Sequence, residues 1–195
     1  MTFEALGIDA RLIQATNELG YVNPTAIQEQ AIPVLLSGTT DFIGLAQTGT
    51  GKTATFLLAT FQHLINLEEN EDEYYSSLVL DELDVAKPLF SSTPQQLTNR
   101  SIPIKYPRAL ILAPTRELAI QIHKDALLLS KFLNLKIALI YGGTDYQKQL
   151  DMLKTNVDII IGTPGRIIDF YKQNVFTLDN IKVTVMDEAD RMFDL

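Results

Sequence analysis

The sequence predicts an α/β fold, a three-layer sandwich in which a mainly parallel sheet lies between two layers of helices. Short apolar runs rich in β-branched residues alternate along the chain with segments whose apolar residues recur near every third or fourth position. The apolar runs show little polar alternation, as strands buried on both faces require, and alternation of strand with helix is the signature of a parallel sheet. The length of 195 residues, against a typical domain of roughly 150, suits one domain carrying one large insertion.

Two helices come first: Ala10–Leu19, with Asp9 as N-cap and Gly20 as its stop, and Ala26–Leu36, with Thr25 as N-cap. Strands are predicted at Asp41–Leu45, Ala109–Ala113, Ile137–Tyr141, Asp158–Ile161 and Val183–Met186, each bounded by Gly, Pro, Asp or Asn. The helices between them are Thr53–Leu67, Glu117–Leu133, Tyr146–Thr155 and Arg166–Gln173. The pattern fails between Leu67 and Pro107, where a charged run (ENEDEYYSS) leads into a stretch with four prolines and many Ser, Thr, Asn and Gln residues. A long, mostly irregular insertion is expected there. A solvated surface loop is its plainest reading, and a site for a protein partner the alternative.

Composition bounds the chemistry. At 46% hydrophobic and 21% charged residues the chain reads as an ordinary globular protein. The absence of cysteine excludes disulfides, thiolate metal sites and a cysteine nucleophile. The opening MTFEALGIDARL has neither the basic nor the apolar region of a signal peptide, and no run of eighteen apolar residues occurs, so the cytoplasm is the expected compartment. The net charge of −8 argues against nucleic acid as a ligand only until it is located. Eight acidic against three basic residues in 67–107 give that segment −5, leaving −3 for the rest.

In open α/β sheets ligands bind outside the carboxyl ends of the strands. After the first predicted strand comes Ala46-Gln47-Thr48-Gly49-Thr50-Gly51-Lys52-Thr53, a phosphate-loop pattern except that Ala46 stands where the stricter form has Gly. The glycines let backbone N–H groups wrap an anion, Lys52 reaches the β- and γ-phosphates, and the Thr53 hydroxyl suits Mg²⁺. A dinucleotide fingerprint, Gly49-x-Gly51-x-x-Ala54, also fits, but Lys52-Thr53 inside the turn favours the phosphate loop. The last strand runs into Asp187-Glu188-Ala189-Asp190 at the same sheet edge. There Asp187 can hold Mg²⁺ through water and Glu188 can polarise the water attacking the γ-phosphate. Alone, this string reads as a solvated acidic turn capping a helix. Thr25-Ala-Ile-Gln28 is a capping box by its residues, with Gln28 bonding back to the N-cap amide. His63 and His123 lie in helical segments without a paired ligand pattern and are read as structural, and Arg191, Met192 and Phe193 as helix residues.

With these motifs in this order over nearly the whole chain, the sequence resembles the first RecA-like domain of the DEAD-box RNA helicases. The resemblance implies ATP and Mg²⁺ as cofactors and RNA unwinding or remodelling as the activity. Residues 1–36 would be the Q-motif helices, 41–66 the phosphate-loop unit, 67–107 the insertion and 108–195 the remaining strand–helix units. It further implies that Gln28 reads the adenine edge while Phe3 lies against the base, so that Gln28 keeps two readings. Pro114-Thr115-Arg116, Gly142-Gly143 and Thr163-Pro164-Gly165-Arg166 resemble the family's RNA-contacting motifs. Their plain readings are N-caps at Thr115 and Thr163, a favoured first helical position for Pro164 and a glycine turn. Three strand ends that present N–H groups, hydroxyls and Arg side chains to one side suit phosphate and sugar contacts, so RNA binding should be largely independent of sequence.

Two departures stand out. The insertion is longer and more acidic than the family usually carries, and the chain stops at Asp194-Leu195, ahead of the family's Ser-Ala-Thr strand and second RecA-like domain. The expected sheet therefore lacks its last strand. Arginines of the second domain would be missing too, and an arginine finger is worth about 10³–10⁵ in rate, so little hydrolysis is expected of this chain by itself. A nucleotide- and RNA-binding module without catalysis, or a phosphate-loop ATPase that does not act on RNA, remain the alternatives.

Overall fold

The structure is a computed structural model that describes residues 1–38, 41–47, 49–83 and 107–193, with the side chains of 71–83 and 193 left aside. A single 3₁₀ turn, Glu4–Leu6, precedes helices α1 (Ala10–Glu18), α2 (Ala26–Ser37) and α3 (Lys52–Leu83). Strands and helices then alternate as β1 (Ala109–Leu112), α4 (Arg116–Leu129), β2 (Ile137–Ile140), α5 (Tyr146–Leu153), β3 (Ile159–Gly162), α6 (Pro164–Lys172), β4 (Val183–Met186) and α7 (Ala189–Phe193). All pairings are parallel, in the order β2-β3-β1-β4.

Pleating sends alternate residues to opposite faces. Ala109, Ile111, Ile159 and Ile161 pack on one side against Leu12, Ile32, Leu57, Phe61 and Ile122 from α1–α4. On the other side Leu110, Ala138, Ile140 and Ile160 meet Leu153, Ile167 and Phe170 from α5 and α6. These are the expected three layers. Each fully buried Leu, Ile or Phe contributes about 1.5–3 kcal/mol. Gly162 ends β3 where a Cβ would overlap the Ile140 carbonyl oxygen, which accepts a hydrogen bond from Thr163 N–H at 3.0 Å.

The caps follow the sequence. Asp9 accepts from Arg11 N–H, the Thr25–Gln28 capping box is formed, Thr115 accepts from Leu118 N–H, and Pro164 opens α6. Thr163 holds the N-cap position of α6 without a side-chain cap bond.

Two expectations need correction. No strand forms over 41–45: the segment 41–47 has no regular structure, and Ile43 and Leu45 are 88% and 92% exposed. An apolar run becomes a strand only when a neighbour pairs its backbone, and among the described residues the sheet ends at β4. The irregular insertion does not begin at Leu67 either, because α3 continues to Leu83. No Gly or Pro occurs between Lys52 and Leu83, and the acidic run is built largely of good helix formers. Residues 84–106, where the rest of that insertion and its partner site were expected, lie outside the described residues.

At the amino ends of the strands Arg108 Nη2 donates to Glu68 Oε1 and to Asp158 Oδ1, both at 2.8 Å. Asp158, buried, also accepts from Lys136 N–H at 2.9 Å, and Arg108 carbonyl accepts from Lys182 N–H at 2.7 Å. One cluster thus joins α3 to the starts of all four strands.

Candidate functional site

Because every strand runs the same way, the segments after β1, β2, β3 and β4 emerge at one edge. A cleft of about 710 Å³ opens there, with Gln28, Gly51, Lys52, Thr53, Asp187 and Glu188 in its lining. Residues as far apart in sequence as Gln28 and Glu188 therefore share one cavity, as the expectation for Gln28, the phosphate loop and the acidic pair required.

The loop preceding α3 is held from within and from α2. Lys52 Nζ donates to the Ala46 carbonyl at 2.6 Å and Thr50 Oγ1 to the Gln47 carbonyl at 2.8 Å. Thr25 Oγ1 donates to the Thr50 carbonyl at 3.0 Å, and Gln28 Nε2 to the Gly51 carbonyl at 3.4 Å. Gly51 adopts φ 96°, and a Cβ there would come within 2.8 Å of Gln28 Nε2, so glycine is required for both conformation and space. Gly49 lines the cleft, whereas Ala46 and Gln47 stand behind Lys52, and Thr48 lies outside the described residues.

Gln28 is 4% exposed, and its Oε1 accepts from Thr25 N–H at 2.8 Å. The capping box is therefore real, and the same side chain also touches the loop and lines the cleft. Phe3 departs from expectation. It is 3% exposed and packs in the core with Leu6, Ile8 and Leu12, because the turn Glu4–Leu6 folds it inward; it offers no face to the cleft.

Asp187 N–H donates to the Leu112 carbonyl at 3.0 Å, which ties the acidic pair to β1. Burial pushes the Asp187 carboxyl above the ordinary aspartate range; the nearby Glu188 charge adds to this, while the Glu188 N–H bond at 3.0 Å and Lys52 oppose it. Glu188 has φ 49°, a left-handed conformation uncommon outside glycine, and its carboxylate is paired with Arg191 at 2.9 Å. Among the described residues no group of three His, Asp or Glu side chains forms a metal cage. A cation here would take hard oxygens from Thr53 and Asp187 and the remainder from phosphate and water, the usual arrangement for Mg²⁺.

Beside the cleft, the Arg116 guanidinium lies 5.1 Å from the centre of the Tyr141 ring, and Gly143 approaches Arg116 Nη1 closely enough that a Cβ would sit 3.7 Å from it. Thr115, Arg116, Gly142, Gly143 and Gly165 are exposed, while Pro114 is buried and Thr163 and Pro164 are half-buried. Arg166 differs from the expected outward arginine. Its guanidinium lies over Tyr146 at 5.1 Å and Phe170 at 5.7 Å, and Nη1 is buried without a hydrogen-bond partner. Two flanking aromatic faces account for that position. No motif singles out Leu118, Asp125 and Leu128 of α4, which also line the cleft. Tyr141, beneath Arg116, reads in the sequence only as the end of a strand.

The sequence profile described as DEAD/DEAH box helicase matches residues 25–195. The chain belongs to the DEAD/DEAH box helicase family. It is 48% identical over 193 residues to the ATP-dependent RNA helicase RhlB of Vibrio campbellii, covering 99% of this chain and 37% of that protein. RhlB of Pseudoalteromonas atlantica is 46% identical over the same length, with 38% of it covered. This DEAD-box chain thus spans less than two fifths of the length of these relatives. A crystal structure of a DEAD box protein from Methanococcus jannaschii superposes with a TM-score of 0.74 at 30% identity, covering all of this chain and 43% of that one.

Proposed function

We propose that this DEAD-box chain binds ATP with Mg²⁺ in the cleft and single-stranded or structured RNA along the adjoining strand ends. On this reading it is the nucleotide- and RNA-binding part of an ATP-dependent RNA helicase that works with a second RecA-like domain. The observation that carries the proposal is the shared lining of one cleft by Gln28, Gly51, Lys52, Thr53, Asp187 and Glu188. The names of the RhlB relatives support ATP dependence and RNA as the substrate class.

In the proposed mechanism, Gly49, Gly51 and the start of α3 offer N–H groups and partial positive charge to the phosphates. Lys52 exchanges its bond to the Ala46 carbonyl for the β- and γ-phosphates. Thr53 and Asp187 would hold Mg²⁺, which would supply charge neutralisation to the phosphates, and Glu188 would orient the attacking water. Gln28 would read the adenine edge through its amide while remaining bonded to Thr25. Arg116 and Thr115, with the peptides of Gly142, Gly143 and Gly165, would take RNA phosphates without reading bases. Among the described residues no arginine lines the cleft, so turnover by this chain alone is slow until a partner domain supplies one. No helix among the described residues is long and apolar enough to cross a membrane, and a cytoplasmic location belongs to the proposal. A protein partner for the insertion belongs to it only as an expectation from charge.

Calorimetric titration with Mg-ADP and Mg-GDP tests the site. Binding of ADP but not GDP is expected, and equal binding of the two would leave Gln28 as a helix cap alone. Lys52→Ala should weaken Mg-ADP at least about a hundredfold, roughly the 2.7 kcal/mol of a charge-assisted phosphate contact. Unchanged affinity in that variant would overturn the phosphate-loop assignment.

A further inference from the structure

We infer that Gln149 is a positioning residue for the RNA-binding edge, acting through Tyr141 on Arg116 and the Gly142-Gly143 turn. The inference rests on the proposed RNA reading of that edge. Gln149 lies on α5, is 5% exposed, and does not line the cleft. Its primary amide pairs with both polar groups of one residue: Oε1 accepts from Tyr141 N–H at 3.0 Å, and Nε2 donates to the Tyr141 carbonyl at 3.1 Å. Nε2 also lies 3.4 Å from the Asp145 carbonyl.

The placement explains why such an amide is needed. Among the described residues β2 is an outer strand with β3 as its one neighbour, and its ladder ends with Ile140 opposite Gly162. Tyr141, the next residue, must leave the sheet and turn. The Gln149 side chain supplies to its N–H and C=O what a further strand would supply, and so fixes the first residue of the turn. An unpaired buried peptide group would cost more than the net gain of a hydrogen bond, which makes a loose alternative expensive. The turn is closed at its far end by the same helix, since Asp145 caps α5 by accepting from Lys148 N–H at 3.2 Å.

What the clamp holds is the aromatic seat of Arg116. With Tyr141 fixed, its ring stays 5.1 Å beneath the guanidinium, and Gly143, at φ 80°, stays against Arg116 Nη1. Arg116 is exposed, and among the described residues the Tyr141 ring and the Gly143 turn are the contacts that restrict its directions. A pre-set arginine loses less freedom on meeting a phosphate than a free one.

The test is a double-mutant cycle on this chain, read as fluorescence anisotropy with a mixed-sequence single-stranded RNA oligomer at low salt. Circular dichroism melts and Mg-ADP titration are measured on each variant. Gln149→Met removes both hydrogen bonds at similar volume and should weaken RNA about tenfold while Mg-ADP affinity is unchanged. Arg116→Ala should weaken RNA as well, and adding Gln149→Met to it should cost less than twofold more. Gln149→Leu, which also removes both hydrogen bonds, should weaken RNA by a similar factor, and it serves as the test where Gln149→Met fails to fold. Additive losses from Gln149 and Arg116, or equal losses of RNA and Mg-ADP affinity, would overturn the inference while leaving the RNA edge in place. If the parent chain does not bind the oligomer, or if Arg116→Ala binds it as the parent does, the RNA reading itself fails and the role of Gln149 fails with it.

Discussion

The middle of the sheet and its β4 margin are built to different standards. In β3, Ile159, Ile160 and Ile161 are fully buried, with helices over both faces. In β4, Met186 is 57% exposed and Thr184 is exposed too, because α5 and α6 cover the other three strands and stop short of it. The segment 41–47 shows the same openness, with Ile43 and Leu45 bare. The proposed chemistry is divided along this line. Of the turns proposed for RNA, those after β1 and β3 grow from the packed middle and Gly142-Gly143 from the β2 side, while Asp187, Glu188 and the phosphate loop belong to the open β4 margin. The difference teaches that a densely packed and an open region share one sheet, and that sequence motifs by themselves do not distinguish them.

The largest expected effect breaks the comparison at its centre. Ile161→Ala should cost about 2–5 kcal/mol of unfolding free energy, whereas Ile43→Ala should stay within about 0.5 kcal/mol. Urea titrations followed by circular dichroism decide this, and a loss of more than about 2 kcal/mol at Ile43 would show that the margin is packed in solution. A second effect sharpens the contrast on the margin itself. Glu188→Gly should stabilise the chain by about 1 kcal/mol, because φ 49° is strained for glutamate and free for glycine. A melting temperature that falls instead would mean that the Arg191 ion pair outweighs the strain.

The smallest effect concerns α4. Burial pushes His123 below the ordinary histidine value of 6.5, against an opposing hydrogen bond with the Ile137 backbone. The unfolded chain then takes up a proton that the fold resists. Stability is therefore full above pH of about 6.5 and declines as pH falls from there toward the lowered value, by less than about 1.4 kcal/mol per pH unit. His123→Gln should flatten that slope in urea titrations between pH 5 and about 7, and an unchanged slope would assign it to other groups.

Much of this was legible. Asp9, Thr25, Thr115 and Pro164 announce helix starts through local chemistry, and Val183–Met186 was bounded correctly because Asp187 and Lys182 flank a short apolar run. What failed depended on tertiary context. The run 41–45 has the composition of a strand, but pairing is a property of two segments. The acidic part of α3 looked like a break because it is charged, although the lack of Gly and Pro as far as Leu83 was the better signal. At the site, the spacing of the glycines and Lys52 marks the loop ahead of α3, and the Thr25–Gln28 spacing marks the capping box that the structure forms. The inward turn of Phe3 and the aromatic seats of Arg116 and Arg166 were not readable, since each depends on rings brought close only by folding.

The Arg108 cluster has a practical meaning. Glu68 of α3 and Arg108, just ahead of β1, are joined to each other and to Asp158 at the end of the molecule opposite the cleft. The cluster holds the starts of the strands, a full strand length from the proposed nucleotide site at their carboxyl ends. That makes it a separate lever on the scaffold: loosening Arg108 would lower stability while leaving the residues of both proposed ligand edges untouched.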